Sequence, residues 1–206
     1  MTTLFYIHDP MCSWCWAFAP VLDKLQRQLP AEIRFIRLLG GLAPDNPAPM
    51  AAEMREQLQA TWRRIEQKLP EIRFNFDFWS RCEPRRSTYP ACRAVIAARS
   101  LNDSKEQAMI RTIQQAYYQQ ARNPSDAATL IELAGEIGLD PARFKVALND
   151  SAINTILKQE ITQALAMHAT SFPALVLELD GGFWPVPVDY HSAEPILETI
   201  TMICSE

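Results

Sequence analysis

The stretch Asp9-Pro10-Met11-Cys12-Ser13-Trp14-Cys15-Trp16-Ala17-Phe18-Ala19-Pro20 decides how this chain is read, because a turn, a cysteine pair and a helix start are packed together in it. Just before it, residues 4–8 are rich in aromatic and branched side chains and read as a buried strand, which Asp9-Pro10 stops. Just after it, Phe18, Leu22, Leu25 and Leu29 recur at the spacing of one helical face, and Pro30 closes the segment. Pro20 falls inside that helix and is expected to kink it, because proline removes a backbone donor. Next, Ile33 and Phe35 alternate with Arg34 and Ile36 before Leu38-Leu39 runs into Gly40-Gly41, so 32–39 reads as a second strand. A strand, a helix and a strand in this order imply a parallel pair.

Further along, the composition turns helical. A Pro-rich run from Ala43 to Pro49 leads to a stripe of Met54, Leu58, Trp62, Ile65 and Leu69 that Pro70 ends. Pattern and cap signals place helices at 88–100, 104–121 and 126–137, the last with Ser125 or Asp126 as cap and Gly138 as stop. Asp140-Pro141 opens another with Phe144 and Leu148 inward, and a helix over 151–167 carries Ile153, Leu157, Ile161 and Leu165 inward behind a Ser151 cap. Strand character returns at Ala174–Leu179, and the turn signal Asp180-Gly181-Gly182 joins it to a short arm from Phe183 to Val188. Pro185 and Pro187 place that arm at a sheet edge. A last helix, with Ile196, Ile200 and Ile203 inward behind Ser192, ends the series. The order is βαβ, a helical block, then ββα, which the connection rules resolve into one sheet with helices on both sides. The expected fold class is α/β, a thioredoxin fold with a large all-helical insertion between the second and third strands. Its expected parts are an N-terminal βαβ portion over 1–42, a helical insertion over 43–168 and a C-terminal ββα portion over 169–206.

Two cysteines three apart in the first turn of a helix lie on one side of it and are able to close a small disulfide ring. A thiol at the helix N-terminus meets unpaired N–H groups and the positive end of the macrodipole, which favour thiolate, so Cys12 is the candidate nucleophile. Cys15, one turn deeper, is the candidate resolving thiol, attacking a mixed disulfide on Cys12 to release the substrate. Ser13 is able to donate a hydrogen bond to sulfur, whereas Trp14 brings no charge as a histidine there would, so the two tune the couple toward a less oxidising value.

These residue types also serve other chemistry. A Cys-x-x-Cys pair also serves as half of a zinc site, but a closed site needs two more ligands. Cys82 and Cys92 form no second pair and His8, His168 and His191 are scattered, so no metal is expected. Two small buried core residues without chemistry is the bland alternative, against which the strand, turn and helix context counts. Trp14 is expected to contact clients and Trp16 to pack in the core. Asp9 before proline reads as a turn residue, Arg85, Arg86 and Arg93 as solvated surface, and His168 as a structural helix end. The Phe172-Pro173 bond, just before the third strand, is either an ordinary strand-initiating proline or a cis peptide.

The quoted stretch resembles the active-site segment of the DsbA family, in particular its cytosolic bacterial branch with a Cys-x-Trp-Cys-Trp core. Thr170-Ser171-Phe172-Pro173-Ala174-Leu175 is similar to that family's cis-proline loop, which sits against the active-site disulfide and offers a backbone edge to a substrate peptide. The resemblance therefore implies catalytic roles for Cys12 and Cys15 and substrate binding at Phe172 and Pro173. It also implies the helical insertion, and likens Pro20 to the helix-kinking proline of thioredoxins. The chain departs from secreted DsbA proteins in having Ser13-Trp14 in place of Pro-His between the cysteines.

Composition sets the rest. Lys plus Arg total 20 against 24 Asp plus Glu, a formal charge of −4 that gives no broad reason to bind nucleic acid or an anionic membrane. The apolar run before His8-Asp9 is too short for a secretory signal core, no stretch is long enough to span a bilayer, and the expected compartment is the cytoplasm. Five cysteines make an odd count, and Cys82, Cys92 and Cys204 receive no role. The leading expectation is a thiol–disulfide oxidoreductase or isomerase acting on protein or small-molecule disulfides. It needs no bound cofactor beyond its own disulfide, with an external thiol such as glutathione or thioredoxin to restore it. Two alternatives stand beside it. One is a DsbA-like adaptor for a regulator or protease; the other, a glutathione-dependent transferase or isomerase, is disfavoured by cysteine at the reactive position, where related folds carry serine.

Overall fold

The computed structural model describes residues 2–205. Its backbone divides into two compact units, one built from the residues up to Gly40 and from Glu160 onward, the other from Gly41 to Gln159.

The first unit is built on a four-stranded sheet in the order β2-β1-β3-β4, with β1 at Thr3–His8, β2 at Arg34–Leu39, β3 at Ala174–Leu179 and β4 at Gly182–Val186. β1 pairs parallel with β2 and antiparallel with β3, and β3 pairs antiparallel with β4. Flanked on both edges, β1 is buried along its whole length, which accounts for its near-continuous apolar sequence. Successive side chains serve opposite faces. Leu4 and Tyr6 join Leu175 and Leu177 against Phe18, Val21, Leu22 and Leu25 of helix α1 (Ser13–Gln28) and Ile196 and Ile200 of helix α9 (Glu194–Cys204). Phe5 and Ile7 join Leu38 and Val176 against Ala164, Met167 and Ala169. The β3–β4 turn has positive φ at both Asp180 and Gly181, the conformation a two-residue hairpin between right-twisted strands requires. Pro185 lies in β4, on the edge, where a missing N–H breaks no internal ladder.

The second unit contains α2 (Ala52–Lys68), α3 (Phe78–Arg81), α4 (Tyr89–Leu101), α5 (Glu106–Tyr118), α6 (Ala127–Glu136), α7 (Pro141–Leu148) and most of α8 (Ser151–Ala166). Trp62 is fully buried there, ringed by Phe74, Phe76, Phe78, Trp79, Tyr117 and Tyr118 at centroid distances from 4.9 to 6.1 Å. Arg93 meets Asp45 through two bonds of 2.7 and 2.8 Å, and Arg85 pairs with Asp126, so both arginines are tied to carboxylates.

Several expectations need correction. Leu165 does not face inward: it is 55% exposed, and Ile161 is half-buried. Strict four-residue steps drift by about 40° each on a helix of 3.6 residues per turn, so the third step leaves the buried face. The stripe that is buried runs Ile153, Leu157, Glu160, Ala164, Met167, alternating steps of four and three. Ser151 is the first residue of α8, and the Asp150 carboxylate accepts from Ala152 N at 2.9 Å in the capping role. Ser125 donates to the Ser87 carbonyl and caps nothing; Asp126 takes the N-cap position of α6 without a side-chain cap bond. The strand expected over 32–39 begins at Arg34, and the helix expected over 104–121 runs from Glu106 to Tyr118 behind a short 3-10 turn at Asp103–Lys105.

Candidate active site

Asp9 folds the link between β1 and α1. Its carboxylate accepts from Met11 N at 2.8 Å and its carbonyl from Cys12 N at 3.0 Å, the turn role that an aspartate before proline suggests. The turn delivers Cys12 to the N-cap of α1 with extended backbone angles, and the Cys12 carbonyl accepts the first helical bond from Trp16 N. Cys12 retains 7% exposure, whereas Cys15, one turn deeper, has none. Both are thiols.

Burial pushes the Cys15 thiol well above the usual thiol range, and its hydrogen bond with the Cys12 thiol adds to this. Tyr6 is buried on β1; burial, then the charges of the two sulfurs, raises its hydroxyl well above the usual phenol range. Tyr190, half-buried between β4 and α9, is raised in the same way by burial, then by Cys15 and Cys12.

The second segment singled out in the sequence meets the first. Cys12 Sγ donates to the Phe172 carbonyl at 3.4 Å, and the Phe172–Pro173 peptide is cis. Phe172 is held from behind by Gly40, where a β-carbon would lie 2.0 Å from the ring's Cζ. Beside Pro173 opens a groove of about 520 Å³ whose walls include Met167, Ala169, Phe183 and Pro185. Ser13 is buried in the first turn of α1. Trp14 is half-buried, its ring tilted against Tyr190 at 5.0 Å, and Trp16 is half-buried as well. Tyr6, Tyr190 and Gly40 are the site residues that the sequence reading missed. The first looked like ordinary strand filling, and the others reach the cysteines only through tertiary folding.

The other cysteines are placed singly: Cys82 Sγ donates to the Ala121 carbonyl at 3.0 Å, Cys92 is buried in α4 and Cys204 is exposed at the end of α9. Among the described residues no group of three or more His, Cys, Asp or Glu side chains is arranged to hold a metal ion. No helix among them is long and apolar enough to cross a membrane.

Known proteins resemble the chain along most of its length. It is 28% identical over 204 residues to the ClpXP adapter protein SpxH of Halalkalibacterium halodurans, covering 92% of this chain and 64% of that protein. The chain spans less than two thirds of the length of the curated relatives it matches. A candidate protein disulfide isomerase from Nitrosomonas europaea superposes with a TM-score of 0.85 at 25% identity, covering 99% of this chain and 98% of that one. The cytosolic disulfide reductase DsbM from Pseudomonas aeruginosa, solved also with GSH, gives 0.79 at 22% identity over 99% of this chain and all of that one. Residues 4–192 match the family model described as DSBA-like thioredoxin domain, so the thioredoxin-like sheet, its helical insertion and the Cys12-to-Cys15 turn are those of a member of the DsbA-like family.

Proposed function

We propose that this chain is a cytoplasmic thiol–disulfide oxidoreductase working through Cys12 and Cys15, with Ser13 and Trp14 tuning the pair and Phe172-Pro173 presenting the substrate. The observation that carries the reading is the bond from Cys12 Sγ to the Phe172 carbonyl, with Cys15 fully buried one turn behind. A sulfur with residual exposure beside a backbone edge is accessible to a second sulfur, while the buried one is reached only from Cys12.

The chemistry is two exchanges. Cys12, as thiolate, attacks one sulfur of a substrate disulfide; a Cys12–S–S–R bond forms, the substrate S–S bond breaks, and the first thiol leaves carrying a proton. Cys15 then attacks Cys12 Sγ, its proton going to the departing sulfur, and the second thiol is released. The substrate disulfide is reduced to two thiols and the Cys12–Cys15 dithiol is oxidised. An external thiol such as glutathione reverses these steps on the enzyme. The backbone at Phe172 and Pro173 lies where an extended peptide or the glutathione backbone would pair as its sulfur meets Cys12. The cytoplasmic placement is supported by the cytosolic reductase among the structural relatives.

A second reading rests on the curated relatives, which are named ClpXP adapters. In it the chain delivers a regulator to a protease, and redox turnover is secondary. Reduction of insulin or a model disulfide by wild type, Cys12→Ala and Cys15→Ala, together with titration against a glutathione buffer, separates the two. The oxidoreductase reading expects a reversible Cys12–Cys15 couple and turnover lost in Cys12→Ala. A wild type without such a couple gives the adaptor reading the field.

A further inference from the structure

Resting on the reading of Cys12 as the reacting thiol, we propose that Glu160 is a positioning residue: its carboxylate pins the end of β2 to α8 and so fixes the Phe172 carbonyl that meets Cys12. β2 is a margin of the sheet, with β1 on its inner side. Along a strand the backbone N–H groups point alternately to its two sides. Gly40 N donates inward to the His8 carbonyl at 2.7 Å, so Leu39 N points outward, where the sheet has no further strand among the described residues. Leu39 is buried, and an amide there needs a partner from the protein. Glu160, 121 positions later and itself buried, supplies it: Leu39 N donates to Glu160 Oε2 at 2.8 Å.

Leu39 is thereby clamped between two bonds of opposite direction, one to α8 and one to β1, and neither of its flanking peptides rotates without breaking one of them. That holds Gly40 in place, whose missing β-carbon leaves the space filled by the Phe172 ring. The other side of this contact also starts from Glu160. From it the chain runs through Ala164 and Met167, which pack with Ala169 and Phe172 against Leu38 and Val176. It then reaches the Phe172 carbonyl, which accepts from Cys12 Sγ at 3.4 Å. The Glu160 carboxylate thus closes a ring of contacts: helix, loop, phenylalanine, glycine, strand end and back to the helix. With that bond gone the ring is open, and Gly40 and Phe172 shift together.

A buried carboxylate is a costly way to fill space beside a sheet, since it gives up hydration that an apolar side chain never had. What it adds is direction. It accepts from an amide that leucine or methionine would leave without an acceptor. Glutamine has the same length and keeps a side-chain oxygen to accept from Leu39 N, so it serves in the same way.

The test uses the full chain as wild type, Glu160→Gln, Glu160→Met and, as a control for lost stability, Leu157→Ala in the same helix. Two quantities are read: the 13C signal of the Phe172 carbonyl in the reduced protein, and the rate constant at which oxidised glutathione forms a mixed disulfide on Cys12, by acid quench and intact mass. Glu160→Met is expected to move the Phe172 signal and to slow the reaction about tenfold, whereas Glu160→Gln keeps the wild-type signal and a rate within about twofold. Leu157→Ala is expected to lose stability with signal and rate unchanged. A Glu160→Met protein that is destabilised yet keeps the wild-type signal and rate shows a purely structural pin and overturns the proposal. A Glu160→Gln protein as slow as Glu160→Met overturns it too. Should wild type form no mixed disulfide, the redox reading fails by itself, and the Phe172 signal still decides whether Glu160 fixes that carbonyl. If Glu160→Met does not fold, Glu160→Asp, one methylene shorter than the reach to Leu39 N, is read in its place against the same outcomes.

Discussion

Gly40 and Phe172, 132 positions apart, are in such close contact that a β-carbon on the glycine would fall 2.0 Å from the phenylalanine Cζ. Gly40 also donates to the His8 carbonyl at 2.7 Å, so the end of β2 is tied to β1 while it supports the ring. The carbonyl of that same phenylalanine is the partner of Cys12. Gly40→Ala therefore displaces Phe172 and its carbonyl together. Expected are a stability loss of about 1–3 kcal/mol, the cost of overpacking, and disulfide turnover reduced more than tenfold. Gly181→Ala is the control. It forces alanine to a φ of +80 in open space at the hairpin turn, so stability drops by about 1 kcal/mol with turnover kept. Equal turnover in wild type and Gly40→Ala would disprove the link between this contact and the site.

The two cysteines differ in access, and their substitutions should differ in kind. Cys15→Ser is expected to accumulate a mixed disulfide on Cys12 when challenged with oxidised glutathione, because the group that releases it is gone. Cys12→Ser should form none. Intact-mass analysis after acid quench reads both, and a glutathione adduct on Cys15 in Cys12→Ser would contradict the order of attack.

Release from the mixed disulfide should depend steeply on pH. Cys15 is pushed above the usual thiol range by burial, so its reactive anion is a small fraction at neutrality that grows as protons are withdrawn. The rate is expected to climb about tenfold per pH unit from neutral into mildly alkaline solution. A flat profile there, in rapid-quench measurements, would argue against Cys15 as the attacking group.

The same burial acts on folding. A group whose anion is disfavoured only in the folded state binds its proton more tightly there than in the unfolded chain. Its contribution is complete below the ordinary thiol range and is lost as pH rises through that range toward the raised folded value. Reduced wild type should lose denaturant resistance on the alkaline side more steeply than Cys15→Ala, which lacks the group; parallel curves would sink the argument.

In α8, Leu157 has no exposed surface and Leu165 is 55% exposed. Leu157→Ala should cost about 2–5 kcal/mol, and Leu165→Ala should stay within about 0.5 kcal/mol. Urea unfolding of both variants checks the pair, and a large loss at Leu165 would mean that another surface covers it.

That helix also illustrates what can be read from sequence. Four-residue repetition located α8 yet misassigned its far end, because spacing alone does not say when a stripe has turned away from the core. The cap was misplaced for a related reason: the expected Ser151 is already helical, and Asp150, one position earlier, accepts from Ala152 N, a choice that only backbone geometry decides. The order of elements along the chain was legible because apolar runs, Asp-Pro and Asp-Gly-Gly punctuate it locally. The α3 turn at Phe78–Arg81 was not, since its aromatic residues serve the Trp62 cluster and show no period of their own. At the site, Cys12, Cys15, Phe172 and Pro173 were visible through two short segments. Tyr190 was not, because nothing near position 190 signals proximity to a helix that starts 177 residues earlier.

The sheet margins carry one more implication. β4 contains Pro185, which supplies no backbone donor, and β2, on the other margin, presents Arg34 and Arg37. A missing donor on one side and charge on the other discourage a foreign strand from continuing the ladder. On the proposed reading, in which other polypeptides bind at Phe172-Pro173, the chain is thereby kept from seeding their aggregation along its own margins.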